Sequence, residues 1–153
     1  MIKKVIKEDA FYTLAWSVAY KYDKYNASRV LPELAGILSF FYIGKKGREH
    51  LLFYGCWRDG CREGMRKLLS NDPMIQRLPD IIRQIDIDML YYRYTIVDTT
   101  YKDMQDIMYW LISTYRPKFN DKAAFSDSKR YRDIAVKETE MRDDQVVERF
   151  PRR

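Results

Sequence analysis

Between residues 45 and 67 the chain carries seven cationic side chains, Lys45, Lys46, Arg48, Arg58, Arg62, Arg66 and Lys67, against Glu49, Asp59 and Glu63. A stretch so biased favours polyanionic partners, nucleic acid among them. Arg62 and Arg66 stand four positions apart, which puts both on one face of a helix. A guanidinium offers paired N–H donors in a fork that suits phosphate oxygens. Lys45, Lys46, Arg48, Arg58, Arg66 and Lys67 are therefore the expected nucleic-acid contacts. His50 lies beside them with a pKa near neutrality, the property of a general base, although a lone histidine is more often a polar strand-end residue. Cys56 and Cys61, with His50 nearby, supply too few ligands for four-coordinate zinc, so they are read as reduced thiols that pack, and no metal site is assigned.

These residues need elements to hold them. Residues 36–43 (Gly-Ile-Leu-Ser-Phe-Phe-Tyr-Ile) are β-branched and aromatic, residues 44–47 (Gly-Lys-Lys-Gly) form a turn, and residues 50–55 make a second strand, together a β-hairpin. Asp59-Gly60 breaks the chain before a helix over 61–69, in which Cys61, Met65, Leu68 and Leu69 share a face. Asn71-Asp72-Pro73 stops that helix, and 74–87, with Pro79 inside, reads as two short helical pieces. Residues 89–97 form a third strand. Thr100 caps a helix to Tyr115, with Met104, Ile107, Met108, Leu111 and Ile112 as its apolar stripe, and Arg116-Pro117 ends it. Ahead of the hairpin, Phe11, Leu14, Ala15, Val18 and Tyr22 recur at helical steps, so 9–24 reads as a helix with Asp9 as N-cap, closed by the turn-like 25–28. Beyond Asn120 about half the residues are charged, a solvated helix or flexible arm rather than a core element.

The expected class is α/β (α+β): a small three-stranded mixed sheet flanked by helices. A chain of 153 residues, 46% hydrophobic, has the apolar surface for one such domain. Its parts are an N-terminal helical extension (1–30), the domain itself (31–121) and the charged tail or helix (122–153). The net charge is +6. No apolar run approaches the length needed to span a bilayer, and the first residues lack a signal core, so a soluble cytoplasmic protein is expected.

One strand beginning Gly36-Ile37-Leu38, a turn, one closing Phe53-Tyr54-Gly55, then a basic helix: this order resembles the GIY-YIG nuclease superfamily. The later run from Leu111 to Asn120, ending Arg116-Pro117-Lys118-Phe119-Asn120, resembles the helix and Arg-Pro-x-x-Asn ending common there. The likeness spans about residues 32–120. A literal Tyr42-Ile43-Gly44 leaves no room for a turn after Leu38 and is a decoy. The resemblance implies a site in which two tyrosines and an arginine position water and phosphate while a glutamate holds one divalent cation, a division that suits phosphodiester cleavage. Leu38 and Phe53 stand where the tyrosines would, leaving Tyr42 or Tyr54 to supply a displaced hydroxyl. Arg62, or Arg66 one turn later, takes the arginine position. Met108 takes the glutamate position, and a thioether cannot hold Mg²⁺ or Mn²⁺. Asp103 and Asp106 act only in another register, and Glu63 only from another helix.

Three functions follow in order of expectation. The first is a nucleic-acid-binding protein, DNA foremost, with weak or lost cleavage. The second is an active Mg²⁺- or Mn²⁺-dependent endonuclease with a rearranged site at Tyr42, Tyr54 and Arg62. The third is a protein-interaction module built on exposed Tyr12, Trp16, Tyr20, Tyr22 and Tyr25. The resemblance also implies a protein partner or a homo-oligomer that supplies recognition.

Overall fold

In chain order the elements are β1 (Ile2–Ile6), β2 (Asp9–Trp16), β3 (Tyr20–Lys21), β4 (Gly36–Gly44), β5 (Gly47–Cys56), α1 (Gly60–Leu68), β6 (Leu90–Ile96), α2 (Tyr101–Tyr115) and β7 (Asp133–Glu140). Short 3-10 turns at Ile87–Met89 and Lys122–Ala124 precede β6 and β7. This is a computed structural model, and it describes residues 1–23, 29–69 and 87–141. The expected turn at 25–28 and nearly all of the expected helical pieces at 74–87 lie outside those residues.

The strands form one seven-stranded sheet in the order β1-β2-β6-β4-β5, with β3 added to β6 and β7 added to β2. The α+β class holds, but the expected three-stranded sheet is only its centre, β5-β4-β6. In that centre Leu38 faces Tyr54 on one side and Tyr94 on the other, and the hairpin closes with Gly44 opposite Gly47. Gly47 takes a φ of 104°, a left-handed geometry open to glycine without a Cβ penalty. Ile37, Leu38, Phe40 and Phe41 are all buried, because β4 has helices on both of its faces and both sets of alternating side chains meet a core.

On one face, Leu38, Phe40, Tyr92 and Tyr94 pack with Cys61, Met65 and Leu68 of α1. On the other, Ile37 and Phe53 pack with Met104, Ile107, Met108, Leu111 and Ile112 of α2. The stripes foreseen for both helices are the ones buried. Thr100 Oγ1 accepts from the Asp103 N–H as the expected cap of α2, and Arg116 ends it in the left-handed region at φ 48°.

Two elements differ from expectation. The predicted helix over 9–24 is β2 and β3. Ala10, Tyr12, Leu14 and Trp16 point inward at strand spacing, so alternation wins over the helical steps of Phe11, Leu14, Ala15 and Val18. Asp9 is no N-cap: its carboxylate takes a hydrogen bond from Arg132. The predicted solvated tail contains β7, which pairs in parallel with β2 along its whole length, from Asp9 opposite Asp133 to Trp16 opposite Glu140. Ile134 and Val136 turn to the α2 side and pack on that core, while Ala135 and Lys137 face out. The sheet thus runs through all three sequence segments.

Candidate functional site

The hairpin and α1 distribute the expected site residues over its two ends. Tyr54 lies opposite Leu38, whereas Tyr42 lies opposite Glu49, near the turn. At about 3.3 Å per residue the four-residue offset separates them by roughly 13 Å along the strands. Tyr42, Tyr54 and Arg62 therefore do not converge on one reacting centre. Tyr54 is half-buried, and burial, with the neighbouring Cys56, pushes its phenol up from its ordinary value. A hydroxyl held protonated in this way donates hydrogen bonds but does not attack.

Arg62 is largely enclosed. Its Nε donates to the Leu31 carbonyl at 3.0 Å and its Nη1 to Glu33 at 2.9 Å, which ties α1 to the segment ahead of β4. Arg66 is exposed and pairs with Glu63 at 3.3 Å. Glu33, Asp59 and Glu63 share with these two arginines a hollow of about 350 Å³. Three carboxylates against two guanidiniums leave that hollow poorly suited to a phosphate, and they serve as ion-pair partners rather than as a metal cage. Among the described residues no three histidine, cysteine, aspartate or glutamate side chains are grouped to hold a metal ion.

The remaining cations split likewise. Lys45 and Lys46 project from the turn, and Arg48 lies over the Phe41 ring at 4.2 Å. At the other end of β5, Arg58 is exposed and Lys67 pairs with Asp59. Cys56 and Cys61 are buried free thiols between β5 and α1, as expected; their mutual hydrogen bond and burial push the Cys56 thiol well up.

Met108 occupies the inner face of α2 against Gly55. A Cβ on Gly55 would lie 3.2 Å from Met104 Sδ and 3.7 Å from Met108 Cγ, so the missing side chain lets helix and strand close together. The later ending is tied to the same strand. Asn120 Oδ1 accepts from the Phe53 N–H at 2.8 Å, and Nδ2 donates to the Phe53 carbonyl at 3.0 Å. One carboxamide thus satisfies both main-chain groups of a residue on the outer edge of β5.

Asp103 and Asp106 are on α2 but serve another purpose. Asp103 Oδ1 accepts from Lys3 Nζ at 2.7 Å, Tyr12 Oη at 2.9 Å and Arg130 Nη2 at 3.0 Å, while Oδ2 accepts from Thr99 at 2.8 Å. Burial acts to raise its pKa, yet the hydrogen bonds from Lys3, Thr99, Arg130 and Tyr12 win and hold it well below the ordinary carboxylate range. Asp106 accepts from Arg130, from the Ser128 N–H and from the Ser128 hydroxyl. The two aspartates lock β1, β2 and the approach to β7 onto α2, and neither is free for a cation.

Between β5, the start of α2 and the chain after it lies a cavity of about 430 Å³, walled by Phe53, Trp57, Tyr101, Met104, Met108, Phe119 and Phe125, with Gln105, Asn120 and Asp121 among its polar residues. No local sequence pattern marks it: Trp57 falls between the expected strand and the Asp59-Gly60 break, Phe125 lies in the expected tail, and only the Met108 position points here.

A second cluster, which no local sequence pattern marks, lies at the far end of α2. The His50 ring lies between Phe53 and Tyr115, at 5.6 and 4.2 Å between centroids. Glu138 accepts from Trp16 Nε1 at 2.8 Å and from the Tyr115 hydroxyl, with Arg93 at 3.8 Å. Burial, then Arg93 and Arg48, lowers the His50 pKa, so its imidazole is neutral at pH 7. It has the protonation state of a base, but it is packed between rings and lies far from Arg62. Tyr12, Trp16 and Tyr22 are buried and Tyr20 is half-buried, so among the described residues they form core rather than an exposed aromatic patch; Tyr25 lies outside those residues.

Among the described residues the sheet carries one helix on each face, which defines an α+β protein, and no described helix is long and apolar enough to cross a membrane. A protein-family profile described as "Uncharacterised protein" matches residues 1–153, and the chain belongs to that family. No curated protein and no solved structure matches it.

Proposed function

We propose that this protein binds nucleic acid, DNA foremost, on a scaffold similar to that of the GIY-YIG nucleases, and that it does not cut what it binds. The order hairpin, α1, β6, α2 supports the kinship, as does Asn120 closing the helix ending onto β5. The observation that carries the loss of cleavage is Met108. Where the resemblance puts a cation-holding glutamate, a thioether packs on Gly55 in an apolar wall. A hard cation needs oxygen ligands; Asp103, Asp106 and Glu63 are each in ion pairs, which leaves Asp121 as the one carboxylate among the described residues lining this cavity, too few for a cage. The endonuclease reading has no observation in its favour, and the interaction-module reading loses its aromatic patch.

With a net charge of +6, binding is expected to be largely electrostatic and to weaken steeply as salt rises. The test is fluorescence anisotropy of labelled single- and double-stranded oligonucleotides over a salt series, run beside plasmid incubation with Mg²⁺ or Mn²⁺. Salt-sensitive binding without nicking is the expected result. Binding that ignores salt, or its absence, removes the reading. Nicking that Arg62→Ala abolishes restores the endonuclease.

A further inference from the structure

We propose that the cavity between β5 and α2 receives one unpaired base of a bound single strand, so that the place where the related scaffold would hold a cation serves here as a stacking pocket. This rests on the nucleic-acid reading above and names the part of the ligand that the cavity selects.

Three observations carry it. The volume of about 430 Å³ is in the range of pockets that enclose small planar ligands. Its walls include aromatic rings and thioethers: Trp57 and Tyr101 meet edge to face at 6.2 Å and 68°, and Met104 and Met108 supply soft, polarizable surface. Tyr101 is 58% exposed, a large apolar ring at the helix start that the fold leaves uncovered. The third observation is charge complementarity next door. Tyr54, Gly55 and Trp57 also line a smaller hollow of about 110 Å³ with Arg58, Asp59 and Lys67; Lys67 pairs with Asp59, and the exposed Arg58 gives the hollow its net positive charge. An aromatic chamber opening beside an exposed guanidinium matches a nucleotide, base in the chamber and phosphate beside Arg58. An apolar peptide side chain would use only the chamber.

The chemistry gives a specific expectation. Stacking tolerates every base, since each presents a π face, whereas an abasic sugar offers nothing to stack. A labelled short single strand and its counterpart with abasic residues carry the same phosphates, so the electrostatic part of binding is common to both. The wild-type protein is expected to bind the base-bearing strand about tenfold more tightly than the abasic one, the range that stacking of a single base supplies. Met108→Trp fills the chamber from the helix side, and Trp57→Ala removes a half-buried wall without burying anything new. Each should bring the base-bearing strand down to the affinity of the abasic one, and thermal melting of both variants checks that they fold. If only one variant folds, that one carries the test. Equal wild-type affinity for the two strands overturns the inference and leaves the nucleic-acid reading in place. Absence of salt-sensitive binding to either strand removes both. A preference for bases that survives in a folded cavity variant also overturns it, because the base is then held elsewhere.

Discussion

Asn120 shows how much one side chain can organise. Its carboxamide occupies both main-chain groups of Phe53 on the outer edge of β5, so Asn120→Ala leaves a donor and an acceptor partly buried and unsatisfied. The expected loss is about 1–3 kcal/mol, read as a lower urea midpoint at unchanged slope. Titration offers a second residue-scale test. The folded His50 pKa lies below its ordinary value, so the unfolded chain binds the proton more tightly, and this contribution to stability is present above about pH 6.5 and declines as pH falls through the folded value. Asp103 is also depressed, with the opposite charge logic: its stabilisation is full above about pH 4 and is lost as the carboxylate protonates at lower pH. Urea unfolding from pH 8 down to 3 should therefore weaken first below about pH 6.5 and then begin a further decline below about pH 4, and His50→Phe should abolish only the first. A single step at the carboxylate range would show that the imidazole is not protected.

At the scale of elements, the central strands and both helices were legible because each carries one uncontested signal. Glycines bound the hairpin, Thr100 caps α2, and the stripe from Met104 to Ile112 fits a single period. β2 was misread because Phe11, Leu14, Ala15 and Val18 satisfy helical steps by coincidence, while the buried set is the alternating Ala10, Tyr12, Leu14 and Trp16. β7 is hidden by composition: of its apolar side chains only Ile134 and Val136 point inward, and its Glu138 answers to Trp16, Tyr115 and Arg93, partners that no local pattern encodes. The two faces of β7 give a test. Val136→Asp puts a charge against the α2 core and should cost about 1–3 kcal/mol, whereas Lys137→Asp faces out and should stay within roughly 0.5 kcal/mol of wild type. If both are silent in thermal melts, β7 is not held in the sheet.

For the whole molecule, the sequence disclosed an excess of positive charge but not its geography. The cations that are neighbours between residues 45 and 67 end up at opposite ends of a hairpin, and several are neutralised locally by Glu33, Asp59 and Glu63. The cavity was equally hidden, since its walls come from β5, α2 and the chain beyond α2, which meet only after folding.

The β2–β7 ladder joins Asp9 to Asp133, so a strand made among the first residues waits for one made more than a hundred positions later. A growing chain on the ribosome would hold one flank of β2 open throughout that interval, with its main-chain groups available to any passing strand. Release or pausing before residue 140 should therefore yield a sticky, aggregation-prone species.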